Sequence, residues 1–150
     1  MIRNGRPAIP DFDPREALYL RYGADEFLEG QLDPAAIRFP KQSVNRAGLS
    51  EPQDVLIHEC GKYNGLGVVC FCVEDIPPAV TGEQGSSFRF FMHHEPFEDN
   101  YSHSEIWSAR IDGNGEYREP SKSAKLTFRI ELAKKIIEAN IRIPAARNKG

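Results

Sequence analysis

Phe88-Arg89-Phe90-Phe91-Met92-His93-His94 and, after the acidic stretch Glu95-Pro96-Phe97-Glu98-Asp99-Asn100, Tyr101-Ser102-His103-Ser104-Glu105-Ile106-Trp107 are the segments on which the fold turns. Aromatic and apolar residues recur at every second position, the period of a strand, so 88–94 and 101–112 are read as two strands joined by a short loop. Phe88, Phe90, Met92 and His94 share one face of the first; Tyr101, His103, Glu105 and Trp107 share one face of the second. If the two strands pair, the loop brings His93 or His94 near His103, with carboxylates beside them.

Three of the four histidines fall in this stretch. Histidine titrates near neutrality, and a carboxylate beside it can orient or activate it. The candidate catalytic residues are therefore His94 and His103 as acid and base, with Glu105 as orienter. Asn45, Arg46, Arg89 and Tyr101 are the candidates for holding a substrate, because guanidinium and amide groups bind phosphate or carboxylate by charge-assisted hydrogen bonds. The expected activity is that of a small hydrolase or transferase acting on a phosphate- or carboxylate-bearing substrate. The alternative is a non-catalytic interaction module, or one subunit of a larger assembly, anchored by Phe97, Tyr101 and Trp107.

Outward from this stretch, Leu66 to Ile76 reads as a strand apolar on both faces, and Asp54 to Cys60 as its hairpin partner. A two-residue Asn64-Gly65 turn sets His58 opposite Phe71; a three-residue loop sets it opposite Cys70. The second register brings two potential ligands together, but the spacing of Cys60, Cys70 and Cys72 lacks the Cys-x-x-Cys knuckle of structural zinc, so buried thiols are expected there. Two histidines and a carboxylate in 93–105 would also suit a catalytic divalent metal, but acid-base chemistry is the expected use and no metal ligand is assigned. Three cysteines in apolar surroundings read as reduced thiols.

Helix signals flank these strands. Asp13-Pro14 marks a helix start, giving a short helix to about Tyr22, and Asp33-Pro34 repeats the signal before Phe39-Pro40 interrupts it. Phe39 to Leu49 holds a further possible strand. Ser121 or Ser123 caps the longest expected helix, Ser123 to Asn140, with Phe128, Leu132 and Ile136 on its inner stripe.

The expected fold is α+β: an antiparallel or mixed sheet of about four or five strands, a long C-terminal helix on one face, and a short-helix N-terminal third. The 150 residues suit a single domain, with 1–12 an extended arm and 141–150 a loose basic tail. Residues 118–150 carry nine Lys and Arg against three Glu, while the rest is acidic. No Lys/Arg run or interleaved aromatic row accompanies that bias, so a small anionic ligand or a protein is the expected partner, ahead of nucleic acid. The N-terminus lacks an apolar leader and no segment has the length to span a bilayer, so a cytoplasmic protein is expected, with no membrane partner. Neither a phosphate-binding glycine loop nor a Gly-x-Ser-x-Gly elbow occurs, and no cofactor is named by the sequence.

Overall fold

The computed structural model describes residues 2–3, 6–7, 12–39, 41–61, 63, 65–82, 85, 87–96, 100 and 102–146. Strands dominate. Ile2–Arg3 (β1) pairs with Arg6–Pro7 (β2), and Phe27–Leu28 (β4) pairs with Gln31–Leu32 (β5). The main sheet is built from Ala17–Tyr22 (β3), Gln42–Arg46 (β6), Gly67–Cys72 (β7), Ala79–Thr81 (β8), Ser87–His94 (β9), His103–Arg110 (β10) and Ile141–Ile143 (β11). Its seven strands run in the order β11-β7-β3-β6-β10-β9-β8, every neighbouring pair antiparallel. Asp54–Gly61 (α1) and Lys122–Ala133 (α2) are the only α-helices among the described residues.

This architecture corrects the α+β expectation. The protein is mostly β, with seven strands rather than four or five, and the C-terminal helix stops at Ala133 instead of running to Asn140. Backbone bonds from Lys135 to Leu132 and from Ile136 to Ala133 tighten its last turn. The chain then turns away so that Ile136 is buried and its carbonyl accepts from Leu32. Within the segment read as a tail, Ile141–Ile143 forms the edge strand against β7.

Two further elements differ from their sequence reading for identifiable reasons. Asp13 does cap a turn, accepting from the Arg15 amide, but the turn ends at Glu16. Ala17–Tyr22 is then captured as a strand by β7, which pairs with all six of its residues. Leu18, Leu20 and Tyr22 alternate into the core, and this long-range pairing overrides the local helix signal. Asp54–Gly61 is the reverse case. Asp54 accepts from the Glu51 amide at the helix start, and Val55 is buried while Ile57 is exposed, so a single helical face is used. A short apolar run does not by itself distinguish these states. The expected 54–60/66–76 hairpin, and with it either placement of His58, does not form.

The sheet separates two apolar layers. On one face Leu18, Leu20, Val44, Val69, Phe71, Phe88, Phe90 and Ile106 form the main core with Phe128 and Leu132 of α2. The Phe128 ring lies 4.2 Å from Phe90 and 5.3 Å from Phe39, centroid to centroid. On the other face Tyr19, Val68 and Cys70 pack against Val55 of α1. At the β3–β7 end Gly67 is required: a Cβ there would lie 2.3 Å from the Tyr22 ring.

Truncation of Phe128 to Ala is expected to cost about 3–5 kcal/mol in urea-denaturation experiments, because a fully buried ring is lost from an aromatic cluster. Burial pushes both the Cys70 thiol and the Tyr19 hydroxyl up from their ordinary ionisation ranges. Their neutral forms therefore stabilise the fold fully below about pH 8.5, and that contribution is lost as pH rises and the unfolded chain ionises first. Urea midpoints should fall between pH 8 and pH 10, and Cys70→Ser should reduce the fall.

Candidate functional site

Pairing of β6 with β10 places the site. His103 lies opposite Asn45 and Glu105 opposite Ser43, so all four side chains emerge on the face of the sheet opposite the main core. Ser43 and His103 are diagonal neighbours on that face, within reach of side-chain contact. Every buried polar side chain among the described residues lies on β6, on β10 or in the turn before β10. The Asn45 amide donates to Asn100 Oδ1 at 2.5 Å and to Ser102 Oγ at 2.7 Å, fixing that turn against the sheet.

His103 is only 4 % exposed, and both ring nitrogens are engaged. Nδ1 lies 2.7 Å from the carbonyl oxygen of Glu95, and Nε2 lies 3.2 Å from Ser43 Oγ. A carbonyl can only accept, so in the neutral ring Nδ1 carries the proton and Nε2 presents its lone pair to the Ser43 hydroxyl. A hydroxyl, a histidine and a group that fixes the histidine tautomer are thus lined up in series. The orienting group is a backbone carbonyl rather than Glu105, whose Oε1 accepts from Trp107 Nε1 at 2.9 Å.

A cleft adjoins this pair. The β3–β6 ladder contains only Leu18↔Arg46 and Tyr19↔Asn45, although β3 continues to Tyr22 and β6 begins at Gln42. Beyond those two pairs the strands leave a cavity of about 400 Å³, which Ser43 lines. Arg21, Arg38 and Lys41 also line it, against the single carboxylate of Glu26. Arg38 pairs with Glu26 at 2.5 Å, while the Arg21 guanidinium lies 3.7 Å from the Tyr63 ring centroid and donates to the Val55 carbonyl. With more positive than negative charge, the cleft is suited to an anion.

The residues expected from sequence are divided by this geometry. Asn45, His103 and Glu105 are brought together. His94 is on the opposite face, paired with Ser104 and bonded through Nδ1 to its hydroxyl at 2.9 Å. It therefore cannot share a proton directly with His103. Arg46 also faces that side, 3 % exposed, with Nη2 2.7 Å from Glu16 Oε1 and Nε bonded to the other Glu16 oxygen. Its guanidinium lies 3.9 Å from the Phe12 ring centroid, a structural ion pair rather than a substrate arm. Arg89 is exposed opposite Ala109, six residues along β10 from His103 and so roughly 20 Å away. Tyr101 and Phe97 lie outside the described residues. No group of three or more metal-ligating side chains occurs among the described residues.

Sequence reasoning missed Ser43, Arg21, Arg38 and Lys41. Alternation along Gln42–Arg46 was the available signal for Ser43, because it puts Ser43 and Asn45 on one face. The cleft had no such signal: it arises where two strands distant in sequence stop pairing. No protein-family profile, curated protein or solved structure matches the chain.

Removal of Arg46 is expected to act on stability. Arg46→Ala should cost about 3 kcal/mol in urea denaturation, leaving the Glu16 carboxylate half-buried without its partner, whereas Arg89→Ala should change stability by less than about 0.5 kcal/mol.

Proposed function

We propose that the protein is a small hydrolase or transferase acting on a phosphate- or carboxylate-bearing ester, with Ser43 as nucleophile and His103 as its general base. The observation that carries this reading is the series Glu95 carbonyl, His103 Nδ1, His103 Nε2, Ser43 Oγ, ending at the wall of a cationic cleft. Arg21, Arg38 and Lys41 hold the substrate's anionic group. His103 Nε2 takes the Ser43 proton as the oxygen attacks the electrophilic carbon or phosphorus, and the Glu95 carbonyl stabilises the imidazolium that forms. The imidazolium then protonates the departing oxygen. A water, or an acceptor hydroxyl in a transferase, releases the group from Ser43, again with His103 as base. Glu105 holds Trp107, and His94 holds Ser104; neither touches the reacting atoms in this scheme. Cys70 and Cys72 are free thiols, and no helix among the described residues is long and apolar enough to cross a membrane; both suit action in the cytoplasm.

The test uses a fluorophosphonate, which labels activated serines. Intact-mass and peptide mapping should locate one adduct, on Ser43, absent in Ser43→Ala. In His103→Gln, an amide that retains hydrogen-bonding capacity, labelling should slow by about a hundredfold or more while the thermal melt remains cooperative. Labelling of other serines only, or an unchanged rate in a folded His103→Gln, removes the catalytic reading. A phosphate-binding cleft without labelling leaves a binding module.

A further inference from the structure

Lys41 occupies an unusual position on the wall of the cleft. It immediately precedes β6 and has a φ of 56°, in the left-handed region where side-chain-bearing residues are strained. Its ammonium lies 4.6 Å from the centroid of the Trp107 ring and 4.6 Å from that of Tyr117. The two rings meet edge to face at 5.6 Å, and His93 stacks on Trp107 at 3.8 Å. The Tyr117 hydroxyl is enclosed and has no hydrogen-bond partner among the described residues. Lys41 therefore rests in an aromatic corner while also lining the cleft.

The three cleft cations are not equivalent. Arg38 is tied to Glu26 and Arg21 to the Val55 carbonyl and Tyr63. Lys41 has no carboxylate or carbonyl partner among the described residues; only ring faces hold it. A cation–π contact at a partly exposed site is weaker than a charge-assisted hydrogen bond to a doubly charged oxyanion. A lysine also has the flexible stem needed to exchange one for the other.

We infer that Lys41 is the mobile clamp of the cleft, leaving the Trp107–Tyr117 corner to close on the phosphate group of a phosphate monoester. This rests on the anion-binding reading of the cleft given above. The preference for a monoester follows from charge: three cations against one carboxylate match a dianion better than a single carboxylate. Specificity between phosphate and carboxylate ligands then lies in Lys41, and the vacated corner becomes available to the rest of the ligand.

Trp107 is the only tryptophan, so its emission reports the movement directly. The 150-residue chain is titrated with glycerol phosphate and, in a parallel arm, with acetate, following both calorimetry and tryptophan emission. Glycerol phosphate should bind with a saturable emission change, and acetate should produce neither. Lys41→Met should bind glycerol phosphate about tenfold more weakly or worse and show no emission change on titration, whereas Lys41→Arg should restore both. Binding by calorimetry with constant emission, equal affinity in Lys41→Met, or equal binding of acetate overturns the clamp while leaving an anion-binding cleft. Absence of calorimetric binding by either anion overturns the clamp and the cleft reading together.

Discussion

The cross-strand pairing of β6 with β10 is the constraint on which the rest depends. It sets His103 opposite Asn45, which in turn ties the preceding turn to the sheet through Asn100 and Ser102. A one-residue slip would move Val44 out of the core and the polar side chains into it, so the register is fixed by burial as well as by hydrogen bonding. Buried polar groups are costly unless satisfied, and the Asn45 amide satisfies two acceptors at once. With this register in place, Ser43 has one position relative to His103, and the Glu95 carbonyl reaches the other ring nitrogen.

The same strand, β6, has a second edge that is only half used. Its ladder with β3 lapses after two pairs, and the cationic cleft occupies the gap. A continuous ladder would give a flatter sheet with no recess beside Ser43. The Ser43–His103 contact and the cleft are thus products of one strand that pairs closely on one edge and separates on the other.

Much of the hairpin was legible in sequence. Alternation in 88–94 matches β9 and that in 103–107 matches β10, although the strand begins at His103 and ends at Arg110, inside the 101–112 read from sequence. The pairing partner of β10 was not legible, because β6 is about 60 residues earlier and carries no motif that names its neighbour. Without that partner, His94 and His103 looked like companions; the period of two in fact sends them to opposite faces once Ser104 pairs with His94. Arg46 was misleading for a related reason. Its chemistry suits an anion, but the anion it meets is Glu16, delivered by a turn that reads locally as a helix start. Ala17–Tyr22 and Asp54–Gly61 exchanged strand and helix because tertiary pairing and single-face burial decided them, and neither is a local property.

The reactivity of Ser43 turns on the tautomer of one imidazole, and NMR of the ¹⁵N-labelled protein, followed across pH to the neutral form of the ring, reads that tautomer directly, with His103→Gln supplying the assignment. The neutral form of the His103 ring should carry its proton on Nδ1, with an unprotonated Nε2 whose resonance changes when Ser43 is replaced by Ala. A ring protonated on Nε2 alone would contradict it, because such a ring has no lone pair to offer the serine.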